Sequence, residues 1–196
     1  MEGKQQLEQI EKEENENKKE NLMREIGIEK VILNIGGTED KLEKGFLLLQ
    51  KLTGRKPIKI KAKKRIPAWG VRLGLEVGTK VTLRGKDGEK LLKKLLPAID
   101  NTLKEKQIKD NFFSFGIHEY IEIPDVEYIR EVGIMGFEVC VVFSRAGKRI
   151  ERKRIKKGKT KRQIVSVDEI KNFMIDKFKT EIKSRRKKWV QVIGKK

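Results

Sequence analysis

Between Arg55 and Arg65 the sequence RKPIKIKAKKR holds seven lysines or arginines and no acid, and Lys148 to Arg162 hold ten more with Glu151 as the only acid. Cations at that density repel one another, so their natural chemistry is the binding of a polyanion. The second run would otherwise be a solvated tail, but apolar segments flank it on both sides. Beside the first run stand parts suited to close contact with nucleic acid. Trp69 lies in a loop with Arg65, Gly70, Arg72 and Gly74, where its ring can stack on a base or cover the edge of a core. Asn34 interrupts an apolar run just before Gly36-Gly37, where its amide can contact a ligand or simply end a strand. Thr82 falls on the polar side of an alternating segment, within reach of a sugar or phosphate.

Catalytic chemistry finds few candidates. His118 is the only histidine, which removes a histidine pair for a metal and leaves a triad without spare partners. Cys140 is the only cysteine, so no internal disulfide can form, and its apolar surroundings predict a core thiol. GKDGEK from Gly85 lacks the spacing and the Lys-Ser/Thr end of a phosphate loop. The carboxylate pairs Asp40 with Glu43 and Glu119 with Glu122 read as helix ends or surface charges. No enzyme, metal site or cofactor is expected.

The whole chain has 196 residues and a formal net charge of +19. Its first 20 residues carry −3, so the other 176 carry +22. Such a field attracts nucleic acid first and an anionic membrane second. No apolar run is long enough to span a bilayer, and no clean basic amphipathic helix favours a membrane surface. A cytoplasmic protein is expected. Aromatics make up only 6%, which argues against single-strand binding through many stacking platforms.

Those residues need elements to position them. Ile26–Ile35 reads as a buried strand ended by Gly36-Gly37. Asp40 is the predicted cap of a helix with Leu42, Phe46, Leu49 and Leu52 on one face and Gly54 as its stop. Glu76 to Arg84 alternates Val77, Thr79, Val81 and Leu83 against polar neighbours, the pattern of a half-buried strand. A second helix starts near Asp87 and ends at Pro97, and Ala98 to Lys106 could restart as helix. Asn111–Ile117 and FEVCVVF from Phe137 read as strands, the latter central or well covered. A last helix begins at Val167 with Asp168 as cap. These elements predict an α+β two-layer sandwich, a curved, mostly antiparallel sheet with helices packed on one face. Residues 1–22 form a polar extension, 23–180 one domain that includes the basic loop 148–162, and 181–196 a basic tail.

Five stretches together resemble a known family: MREIGIEKVILNIG, KLTGRKPIKIKAKKRI, VTLRG, NFFSFGIHEYIEIP and GIMGFEVCVVFSRAGKRI. In this order they are similar to the universal large-subunit ribosomal protein that anchors 5S rRNA, the L-five family. The run Lys148 to Arg162 resembles its archaeal and eukaryotic branch. The resemblance implies a structural protein of the ribosome that fixes 5S rRNA in the central protuberance beside the large-subunit rRNA, among neighbouring ribosomal proteins. It assigns 5S rRNA contacts to Asn34, Thr82, Trp69 and Arg55, the last standing where the family commonly has Gln. It assigns contact with the elbow of the peptidyl-site tRNA to the loop Lys59 to Ile66, with Lys59, Lys61, Lys63, Lys64 and Arg65. Contacts to rRNA phosphates fall to Lys148, Arg149, Arg152, Lys153, Arg154, Lys156, Lys157, Lys159, Lys161 and Arg162. The competing reading is a free-standing module or chaperone for structured RNA, which would not travel with large subunits through a high-salt gradient.

Overall fold

The computed structural model describes residues 22–160 and 163–183, without the side chains of Leu22 and Arg152. The predicted extension therefore lies outside the described residues apart from its last position. Lys161, Arg162 and everything after Lys183 lie outside them as well.

The first strand, β1 (Ile26–Gly36), obeys its alternation: Val31, Leu33 and Ile35 are buried, whereas Ile32 and Asn34 stay half-exposed. Helix α1 (Asp40–Thr53) follows, then the short β2 (Ile58–Lys61), β3 (Glu76–Leu83), α2 (Lys86–Leu95) and β4 (Thr102–Lys104). The chain continues through β5 (Ile108–Lys109), β6 (Phe112–Ile117), β7 (Phe137–Arg145), α3 (Val167–Phe178) and β8 (Glu181–Lys183). Six strands make one sheet in the order β2-β3-β1-β7-β6-β5, every neighbouring pair antiparallel. The expected α+β class and sandwich are what the chain adopts.

One face of this sheet carries the core. Val31, Leu33, Ile35, Val81, Leu83, Phe113, Phe115, Val139, Val141 and Phe143 all point into it, against Leu48 and Leu49 of α1 and Leu91, Leu92 and Leu95 of α2. Gly45 lets α1 cross β1 closely, since a Cβ there would meet Ile35 Cγ2 at 2.9 Å. At the far side α3 is held by an edge-on contact between Phe143 and Phe173, with centroids 5.4 Å apart.

Local details depart from the sequence reading. Asp40 is not the cap of α1: Glu39 holds that place with φ 49°, and Asp40 opens the helix proper. Gly54 ends α1 as expected, in the left-handed region with its N–H bonded to the Gln50 carbonyl. Asp168 likewise yields to Ser166, whose hydroxyl takes the Glu169 amide while the Glu169 carboxylate takes the Ser166 amide. Partial burial pushes the Glu169 carboxyl up, but the Ser166 amide and the Arg145 guanidinium outweigh it and hold it below the ordinary range. Ala98 to Lys106 does not continue as helix. After a single 3-10 turn at Pro97–Ile99 it becomes β4, which pairs in parallel with β8. Glu181–Lys183, the start of the segment set apart as a tail, are thus built into a strand.

Gly136, just before β7, makes the tightest backbone approach among the described glycines. A Cβ there would sit 2.6 Å from the Ile117 carbonyl oxygen and nearer still to that of His118. Gly116, one strand over, has nothing within 4 Å of its own Cβ position. Gly136→Ala should cost about 1–3 kcal/mol through forced backbone shifts, and Gly116→Ala should stay within about 0.5 kcal/mol. Urea unfolding of the two variants checks both.

Candidate nucleic-acid interface

Because the helices cover one face, the other face of the sheet is left without a layer. Strand pairing lines up its side chains in rows. Asn34 on β1 sits between Lys80 on β3 and Glu138 on β7, and Glu138 faces Gly116 on β6. The next row is Thr82, Ile32, Cys140 and Ser114. Asn34 and Thr82, distant in sequence, are therefore diagonal neighbours on one open surface. The Asn34 Nδ2 donates to Glu138 Oε2 at 3.4 Å, which sets the direction of the amide.

Trp69 stands at one end of this surface. The chain between β2 and β3 forms a hairpin held by bonds between Ala62 and Leu75 and between Ala62 and Gly74, with a bridge from Ile66 to Val71. Pro67–Trp69 make a 3-10 turn at its tip, and Trp69 is 76% exposed. The ring therefore covers no core edge. It lines a groove of about 720 Å³ with Gly36, Gly37, Lys41, Lys64 and Ile66, where the hairpin meets the end of β1. Lys63, Lys64 and Arg65 are exposed on the same hairpin. Lys59 and Lys61 are exposed as well but belong to β2, so the loop begins after Lys61, and Lys59 pairs with Glu76 at 3.1 Å.

Arg55 is engaged by a carboxylate of the helical layer. It lies beyond the end of α1, and its guanidinium pairs with Asp87 in the first turn of α2 at 2.6 Å. Among the four residues assigned to one contact, the fold joins Asn34 and Thr82, sets Trp69 at their end of the sheet, and pairs Arg55 with Asp87.

The basic run 148–162 leaves from the opposite end of the sheet, where Arg145 pairs with Ile26. Its backbone folds on itself: the Glu151 carboxylate accepts the Thr160 amide at 3.2 Å and the Thr160 hydroxyl as well. Beyond the run, Gln163 Nε2 donates to the Ala146 carbonyl at 2.9 Å and closes the loop. Arg149, Lys153, Arg154, Lys156, Lys157 and Lys159 are exposed and Lys148 is half-buried. The Arg152 side chain, Lys161 and Arg162 lie outside the described residues. The hairpin and this loop thus mark the two ends of β1, which at strand rise are roughly 30 Å apart.

The groove on the helical side fits a polyanion less well. It holds about 650 Å³ between α1, α2 and residues 123–131, and mixes Asp125, Glu127 and Glu131 with Lys51, Lys94 and Arg130. Among the described residues no group of three or more His, Cys, Asp or Glu could hold a metal, and no helix is long and apolar enough to cross a membrane.

Sequence reasoning missed Glu138 and Gly116 on the open face, and put Lys80 on the polar side of its strand without giving it a role. The signal was present in FEVCVVF, where Glu138, Cys140 and Val142 share one parity and Phe137, Val139, Val141 and Phe143 the other. Reading the segment as a covered apolar run hid it. Cys140 is accordingly no core thiol, but half-buried on the open side.

Comparison with known proteins points to one family. Residues 21–72 match the family described as ribosomal protein L5, and residues 76–171 match the C-terminus of the same ribosomal protein family. The chain is 52% identical over 143 residues to large ribosomal subunit protein uL5 of Nanoarchaeum equitans, covering 71% of this chain and 85% of that one. It is 42% identical over 172 residues to the protein of the same name from Sulfolobus acidocaldarius, covering 85% and 96%. With uL5 of Archaeoglobus fulgidus it shares 44% over 142 residues, covering 71% and 80%.

Burial pushes the Cys140 thiol above its ordinary value, and the Lys30 ammonium offsets part of that. At any pH near 8 the thiolate fraction is then smaller than in a free peptide. Iodoacetamide should alkylate Cys140 more slowly than an unstructured cysteine, with a rate still rising above about pH 9.5, roughly one unit past the free-thiol pKa, where the free thiol levels off. A pH–rate series with a model peptide as reference checks this.

Proposed function

We propose, from the premise that the chain belongs to the ribosomal protein L5 family, that its open sheet face binds 5S rRNA and its hairpin reaches tRNA. At the coarser level the chain is a structural, non-enzymatic protein of the large ribosomal subunit, of archaeal type, and works on the ribosome in the cytoplasm.

The observation that carries the finer reading is the meeting of Asn34 and Thr82 on a helix-free face flanked at both ends by cationic segments. A-form RNA offers a wide, shallow groove lined with 2′-hydroxyls, which short polar side chains on a sheet can reach. Asn34 supplies donor and acceptor, Thr82 a hydroxyl, and Trp69 an exposed ring for a base or sugar. The loop 148–162 holds phosphates of the 5S or the large-subunit rRNA and fixes the complex in the central protuberance. The hairpin, with Lys63, Lys64 and Arg65 at its exposed end, is the segment that contacts the elbow of the peptidyl-site tRNA. The Arg55–Asp87 pair on the helical side supports a phosphate contact for Arg55 at most, with Asp87 as competitor.

This division of labour has a direct test. Asn34→Ala combined with Thr82→Val should weaken binding of purified 5S rRNA by about 1–3 kcal/mol and leave an unrelated structured RNA unaffected. Replacing 148–162 with a short linker, which the Gln163–Ala146 contact makes feasible, should weaken both RNAs and flatten the dependence of log affinity on log salt. Equal loss on both RNAs from the paired point changes would contradict the reading.

A further inference from the structure

Glu138 is an acid in the middle of a face that gathers a polyanion. Among the described residues its carboxylate has no ion-pair partner, and its single hydrogen bond is the one from Asn34. Lys80 lies two strands away, roughly 10 Å across the sheet. Glu138 is exposed, and the neighbouring Gly116 leaves open space beside it. An uncompensated negative charge there repels phosphate, so it lowers RNA affinity unless something on the RNA donates to it.

An ionised carboxylate only accepts hydrogen bonds, and each oxygen can accept more than one, so the Asn34 contact leaves most of its capacity free. Among the bases, guanine presents two adjacent donors, N1–H and the N2 amino group, with the acceptor O6 beside them. Asn34 and Glu138, adjacent across the sheet, set an amide donor beside an acceptor pair. That order complements O6, N1–H and N2–H of one unpaired guanine. Adenine and cytosine each offer one amino donor beside a ring-nitrogen lone pair, and uracil a single N3–H between carbonyls, so only guanine fills both carboxylate oxygens from one edge. We infer that Glu138 is a specificity-determining residue that, with Asn34, reads the Watson–Crick edge of an unpaired guanine, and that Gly116 leaves room for the base. This inference rests on the 5S rRNA reading above.

Glu138 is exposed, so its substitution does not empty a core, and Glu138→Gln is nearly isosteric. Removing an acid from a cationic face should raise affinity for any RNA by a small factor, about twofold to threefold. Loss of a charge-assisted hydrogen bond should lower it by about tenfold. The two roles therefore predict opposite signs. Wild type, Glu138→Gln and Glu138→Ala are compared on 5S rRNA and on an unrelated structured RNA of equal length. The complexes are then probed with kethoxal, which modifies N1 and N2 of unpaired guanines. The expected result is about tenfold weaker 5S binding, unchanged or tighter binding of the control, and a guanine protected by wild type that becomes reactive with both variants. Variants that bind 5S as tightly as wild type or tighter, or that leave every guanine protection in place, overturn the inference alone. If wild type itself shows no preference for 5S, the parent reading fails and this one falls with it.

Discussion

The molecule depends on the ladder that β1 makes with β3 on one side and β7 on the other. That ladder fixes parity: Val31 faces Leu83 and Val141, while Asn34 faces Lys80 and Glu138. A slip of β1 by one residue would carry Val31, Leu33 and Ile35 to solvent and turn Lys30 and Asn34 toward the core. Burial of Val31, Leu33, Val139, Val141 and Phe143 under three helices is therefore the same constraint that keeps Asn34, Thr82 and Glu138 together on the outside. The interface is specified by the core behind it.

Charge and shape divide the work on that outer side. The two segments richest in cations sit at the ends of β1, on a hairpin and a loop, and neither is needed to fill the core. On the proposed reading, long cationic side chains there neutralise phosphates wherever the RNA backbone passes, which would provide affinity without reading sequence. The centre of the face carries short groups held by strand geometry: an amide, a hydroxyl, one carboxylate. These suit recognition because their positions are set by neighbouring strands rather than by flexible stems. On the same reading, the Glu138 carboxylate within so positive a surface costs affinity for RNA in general and is offset where it discriminates.

Much of this was legible beforehand, for physical reasons. Period-two alternation in Glu76–Leu83 named the inward side of β3, and the glycine at position 54 marked the end of α1, because each signal is local. The caps were misassigned at Asp40 and Asp168 because adjacent polar residues compete for the same amides, and only the path of the chain decides between them. The β4–β8 pair escaped notice because its partners lie about eighty residues apart in sequence and each is three residues long. The open face was the hardest feature to read. Val142, Ile32 and Phe112 on it are apolar, so the strands look two-sided in sequence, and the assignment of Arg55 rests on the family resemblance alone, with no local pattern in the sequence to announce its pairing with Asp87.

The single cysteine offers a reporter at the centre of the claim. Cys140 lies on the open face in the row of Ile32 and Thr82, while no described helix covers it. If 5S rRNA seats on this face, saturating 5S rRNA should slow alkylation of Cys140 by about an order of magnitude, as expected for a contact that excludes solvent, and an unrelated RNA bound through the cationic ends should not. Alkylation of Cys140 at the same rate with and without bound 5S rRNA would contradict the account.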